Sequence, residues 1–132
     1  MSVVVLVVDD EPDVEALFRQ NFRREVRQGL YSLEFALSGL AALDRLQGRV
    51  GEAIILLVSD INMPGMSGLD LLPEVKHRRP DLPVFMISAY GDRETVATAL
   101  ARGAQKFMTK PVDFPALKQD VMAAVAQARG PA

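Results

Sequence analysis

The sequence predicts an α/β fold, a doubly wound five-stranded parallel sheet with helices on both faces. Three observations carry that prediction. Short apolar runs rich in Val, Ile and Leu alternate five times with segments of helical periodicity, the pattern of parallel sheets joined by right-handed crossovers. The most apolar runs, residues 3–8, 53–58 and 84–87, read as strands buried on both faces and belong in the middle of the sheet, while the more polar 33–37 and 106–108 suit its edges. Four of the runs also deliver a chemically loaded residue just past their C-terminal ends: Asp9 with Asp10, Asp60, Ser88 and Lys110. In open α/β sheets that is where ligands bind.

Each element has its own justification. Residues 3–8 are β-branched except for Leu6, which favours a strand. Val14, Leu17, Phe18, Phe22 and Val26 recur at helical spacing and predict one amphipathic helix stopped by Gly29. Leu33, Phe35 and Leu37 alternate with polar or small residues, giving a short second strand. Ser38 is placed to cap a helix with the face Leu40, Leu43 and Leu46, ending near Gly48. Residues 53–58 form the third strand, and Ser67 caps a helix running to Arg78. Pro73 lies beyond the first turn of that helix and predicts a kink or a delayed start, because it removes a backbone donor. Residues 84–87 make the fourth strand, 92–102 a helix with Gly103 at its C-terminal cap, and 106–108 the last strand. Asp113 caps the final helix, Pro115 is tolerated in its first turn, and Gly130 with Pro131 ends it.

Composition bounds the function. The chain of 132 residues fits a single domain, residues 1–132, with no linker and no output domain. A net charge of −2 gives no global field calling for nucleic acid or an anionic membrane. The basic run Lys76, His77, Arg78 and Arg79 reads as a solvated helix end complementing the helix dipole. Absence of cysteine removes disulfides and thiolate metal sites and fits a cytoplasmic protein. The longest unbroken apolar stretches, 3–8 and 53–58, fall far short of the about 20 residues needed to span a bilayer. The N-terminus lacks the basic region of a signal peptide.

Gathering Asp9, Asp10 and Asp60 in one crevice has a cost. Two unit charges about 4 Å apart repel by roughly 4 kcal/mol at an effective dielectric near 20. Either a pKa rises or a cation sits among them. Oxygen-only ligands with open positions suit Mg2+, Lys110 supplies a charge able to pair with a phosphoryl group, and Ser88 supplies a hydroxyl. A carboxylate so surrounded is equipped to accept a phosphoryl group.

The segments Val7 to Pro12, Asp60 to Gly68, Ser88 with Ala89, and Lys110 with Pro111 resemble the receiver domain of two-component response regulators. The resemblance runs over residues 3–128, and four motifs in this order are specific where any one alone is weak. It implies a flavodoxin-like fold with strand order 2-1-3-4-5, similar to the chemotaxis receiver. It implies that Asp60 is the phosphoacceptor, that Asp10 ligates Mg2+ (or Mn2+) directly and Asp9 through water, and that Asp60 and the backbone carbonyl of Asn62 complete the protein ligands. Ser88 would hydrogen-bond the phosphoryl group, Lys110 would pair with it, and the Lys110–Pro111 peptide would be cis. Phe107 occupies the aromatic switch position that responds to Ser88, and Asn62 and Tyr90 sit where the family tunes dephosphorylation.

The implied partner is a histidine kinase or phosphotransfer protein, with a homodimer through the fourth helix, fifth strand and fifth helix as a further candidate. Nucleic acid and membrane are not expected as direct partners. Enzymatic activity is expected only as self-phosphorylation and self-dephosphorylation. A receiver-like interaction module that no longer needs phosphorylation is the first rival. A phosphatase or phosphotransferase working through an aspartyl phosphate is the second, and it would require a substrate pocket and cap domain for which 132 residues leave no room.

Overall fold

A computed structural model describes residues 3–130; Pro131 of the predicted helix stop lies outside the described residues. Strands β1 (Val4–Val8), β2 (Ser32–Ala36), β3 (Ile54–Asp60), β4 (Val84–Ser88) and β5 (Lys106–Thr109) form one sheet. All neighbours are parallel and the order is β2-β1-β3-β4-β5, as predicted. Among the described residues six helices connect them, α1 (Pro12–Asn21), α2 (Arg23–Arg27), α3 (Gly39–Arg45), α4 (Gly48–Ala53), α5 (Gly68–Arg78) and α6 (Arg93–Ala101), and α7 (Phe114–Arg129) follows the last strand.

The two-residue period of the strands divides the core into two layers. Leu6, Val8, Leu57, Val84 and Met86 face one way, packing with Leu71, Leu72 and Val75 of α5 and Ala99 of α6. Val5, Val7, Leu56, Val58, Phe85 and Ile87 face the other, against Phe18 of α1 and Leu117, Val121 and Val125 of α7. The central strands are therefore apolar up to their C-terminal ends, where Ser59, Asp60 and Ser88 begin the polar end of the sheet, because both faces are covered. Three helices begin on a side-chain cap read from the sequence, Ser38, Ser67 and Asp113, and α6 on one that was not, Asp92; each accepts a backbone N–H three residues on, at 3.1 Å.

Several local expectations are corrected. The single helix predicted through Val26 is interrupted at Phe22, whose φ of −104° and ψ of 11° leave helical values. The Phe22 ring is buried among Phe18, Tyr31 and Phe114, and that aromatic cluster, rather than a continuous stripe, sets the geometry; Leu17 and Val26 stay exposed. On α3 the buried face is Gly39, Ala42 and Leu43, while Leu40 is 67% exposed.

Helix α4 was not signalled, since residues 48–53 carry no apolar period. Its position comes from tertiary contacts. Arg79 donates to the carbonyls of Gly51 at 2.6 Å and Ile54 at 2.9 Å, and Gly51 packs so closely that a Cβ there would lie 2.0 Å from the Leu46 carbonyl oxygen. The basic run is accordingly only partly a solvated helix end. Lys76 also turns back, donating to the Leu82 carbonyl at 2.6 Å, and burial lowers its pKa. Strand β3 runs on to Asp60 because its pairing with β4 continues to Ile87. Helix α5 starts at Gly68 without delay and keeps Pro73 in its interior.

Candidate functional site

The C-terminal ends of β1, β3, β4 and β5 converge, and each places its chemistry by a backbone constraint. Asp9 follows β1, its N–H bound to the Ala36 carbonyl of β2 at 3.1 Å, and its Oδ1 accepts the Glu11 N–H at 2.9 Å. Asp60 is the last residue of β3 and is 5% exposed. The N-terminus of α5 closes beneath it. Gly68 donates its N–H to the Ile61 carbonyl at 2.8 Å, and a Cβ at Gly68 would lie 2.3 Å from the Asp60 carbonyl oxygen. Only glycine allows that approach. Sequence reasoning gave Gly68 no such part, although a glycine directly after the Ser67 cap is the signal that marks it.

Lys110 follows β5. Its N–H is bound to the Ser88 carbonyl at 2.9 Å, and the Lys110–Pro111 peptide is cis. Its ammonium lies 3.6 Å from Asp9 Oδ2 and 3.4 Å from Asp60 Oδ1. The second contact is an ion-pair distance without hydrogen-bond geometry, so the buried Asp60 Oδ1 has no hydrogen-bond partner. Asp9, Asp10 and Asp60 each bring a carboxylate oxygen within 4.8 Å of the others, with Asp10 the more open to solvent.

The electrostatics follow from this packing. Burial, and then the Asp9 charge, hold the Asp60 carboxyl above its ordinary pKa, with the Lys110 ammonium acting in the opposite sense. Burial alone would lower the Lys110 pKa, but the carboxylates of Asp60 and Asp9 outweigh it and the net shift is upward. A hard divalent cation fits this donor set: the ligands are all oxygens, the like charges lack full compensation, and one buried carboxylate oxygen is unsatisfied.

The remaining predicted residues are close but differently engaged. Ser88 is buried, and its Oγ accepts the Tyr90 N–H at 3.1 Å and the Asn62 side-chain amide at 3.4 Å. The Asn62 side chain and the Tyr90 ring are otherwise exposed. Phe107 is half-buried, opposite Met86 in the sheet and against the α5–α6 core layer. An apolar groove opens beside the carboxylates, walled by Val14, Leu17, Phe18, Val112 and Phe114. A larger cleft lies at the opposite end of the sheet, among Arg79, Asp81, Lys106 and Asp120. The chemistry, not the size of a cleft, marks the site.

Residues 5–122 match the response regulator receiver domain family. This chain belongs to it. The receiver domain is 37% identical over 120 residues to the response regulator protein PilR of Pseudomonas aeruginosa, covering 91% of this chain and 25% of PilR. It therefore spans about a quarter of the length of the curated relatives it matches. Among solved structures it resembles a chain of the CheX–CheY–BeF3–Mg2+ complex of Borrelia burgdorferi, with 30% identity, a TM-score of 0.81 and coverage of 94% and 90%. The signal receiver domain of an HD domain-containing protein from Pseudomonas fluorescens shares the fold at a TM-score of 0.85 and 22% identity, covering 99% of this chain and 100% of the other. Phosphoacceptor switching is the general function of receiver domains. Among the described residues no helix is long and apolar enough to cross a membrane.

Proposed function

We propose that residues 1–132 are a single cytoplasmic receiver domain that takes a phosphoryl group onto Asp60 from a histidine kinase, a phosphotransfer protein or a small phosphodonor. The observation that carries this reading is a buried, incompletely satisfied Asp60 carboxylate ringed by Asp9, Asp10 and Lys110 at the strand ends. An Asp60 oxygen attacks phosphorus, the new O–P bond forms as the donor's bond to phosphorus breaks, and an acyl phosphate results. Lys110 pairs with the phosphoryl oxygens as it now pairs with Asp60. Mg2+ (or Mn2+), held by Asp9, Asp10, Asp60 and the Asn62 carbonyl, would neutralise the charge of the transferring group. Asn62 and Tyr90, both of which contact Ser88, are the positions that would tune the lifetime of the modification.

Intact mass after incubation with Mg2+ and acetyl phosphate tests this. The parent should gain one phosphoryl group, mapped to Asp60, and Asp60→Asn should gain none. Modification mapped to Asp9, Asp10 or Ser88 would overturn the assignment.

Output is read through Ser88 and Phe107. For its Oγ to reach a phosphoryl group on Asp60, Ser88 must leave the Asn62 amide and the Tyr90 N–H, vacating space into which the half-buried Phe107 ring turns. The face of α6, β5 and α7 then changes and offers a surface for a partner or a second copy. Since a ligand shifts an equilibrium only by its differential affinity for the two states, beryllofluoride with Mg2+ should perturb NMR signals of Val96, Phe107 and α7 and increase self-association. Perturbations confined to the loops around Asp10, Asp60 and Ser88, with unchanged oligomeric state, would sink this route.

A further inference from the structure

Pro73 lies inside α5 and has no N–H to offer the carbonyl of Leu69, four residues back, which a proline ring also crowds. That carbonyl is taken up by another helix. Arg102, which closes α6, donates from Nη1 to the Leu69 oxygen at 2.8 Å, and the same nitrogen lies 3.9 Å from Asp70 Oδ1. The next residue adds a second contact. Gly103, at φ +108°, turns the chain against the Lys76 stem, where a Cβ would stand 3.3 Å from Lys76 Cε, and Lys76 is itself tethered to the Leu82 carbonyl. The first turn of α6 is held by its own cap, Asp92 to the Thr95 N–H.

We infer that Pro73 and Arg102 form a clasp: the proline presents the Leu69 carbonyl, Arg102 takes it, and the C-terminal end of α6 is fixed on α5 as a pivot. Arg102 is a positioning residue: its Nη1 donates to the Leu69 carbonyl and lies at ion-pair distance from the Asp70 carboxylate. The consequence for signalling rests on the phosphoacceptor reading of Asp60. Movement of Ser88 displaces the near end of α6, beyond the Ser88–Tyr90 loop, while the far end holds, so α6 swings rather than translates.

The clasp itself is tested without any phosphoryl mimic, by hydrogen exchange at the Gly103 and Ala104 amides, which close the helix onto Leu100 and Ala99. R102A should speed their exchange about fivefold when residue 73 is proline and less than about twofold in the P73A background, where the restored N–H competes for the Leu69 carbonyl. R102K, which keeps the charge but replaces the planar Nη1 donor with an ammonium on a shorter stem, should fall between R102A and the parent. Equal acceleration in both backgrounds, or none in either, overturns the clasp. With Mg2+ and beryllofluoride added, the parent should change exchange at Thr95 and Val96 and leave Gly103 and Ala104 protected, whereas R102A should let the change reach both ends. A change at both ends in the parent overturns the pivot. Loss of beryllofluoride binding with the exchange cycle intact would count against the Asp60 reading and leave the clasp standing.

Discussion

Asp60→Asn should be more stable than the parent at neutral pH, by roughly 2 kcal/mol on the scale of one partly offset like-charge repulsion, while losing phosphoryl uptake completely. The sign comes from the raised pKa of the buried Asp60 carboxyl. Below the unfolded-state value of 3.8 both states hold the proton and the native preference for the neutral form is fully present. As pH rises, the unfolded chain releases the proton first, so stability falls until the native carboxyl has also ionised. Asparagine keeps the neutral shape at every pH and removes one charge from a cluster whose members repel by about 3–4 kcal/mol per pair before Lys110 and solvent offset it. Urea unfolding from about pH 3 to pH 7 should show the parent and variant converging at the acid end and separating above it. A constant difference across that range, or a variant less stable at neutral pH, would mean that Asp60 is not held against its charge.

The second large effect is the loss of metal response in Asp10→Asn. In the parent, an oxygen-seeking dication bound among Asp9, Asp10 and Asp60 adds stability by mass action, about 2.7 kcal/mol at a hundred times its Kd. Asp10 is the more solvent-open of the three carboxylates, so its neutralisation costs little packing and relieves repulsion. The metal-free variant should gain about 1 kcal/mol, and its melting temperature should no longer move with added Mg2+. A destabilisation of several kcal/mol in the metal-free protein would instead make the cluster structural. A retained Mg2+ shift would place the ion on other ligands.

The site residues were legible because each is tied to a strand end by its position in the sequence. Once residues 3–8 and 53–58 are parallel neighbours, Asp9, Asp10 and Asp60 have nowhere to go but the same crevice, and the ion-pair distances from Lys110 to Asp9 and Asp60 follow from β5 being in the same sheet. The direction of the Ser88 hydroxyl was not legible. A hydroxyl chooses among neighbours by distances of an ångström, and it points here to Asn62 and Tyr90. The close approach of Gly68 to the Asp60 carbonyl was hidden for the same reason.

By itself the sequence determined what depends on residues a few positions apart: the strand–helix alternation and the caps at Ser38, Ser67 and Asp113, each made with a donor three residues away. Tertiary structure decided what depends on groups remote in the chain. Arg79 organises α4 from across the fold, aromatic packing breaks the first helix at Phe22, and Leu40 stays exposed although its spacing fits a buried face. Pro73, a conflict when α5 is read alone, becomes consistent once Arg102 supplies the partner its carbonyl needs. Local signals carry the hydrogen bonds a segment can satisfy within itself, and the remaining polar groups are satisfied only when the distant parts of the chain have met.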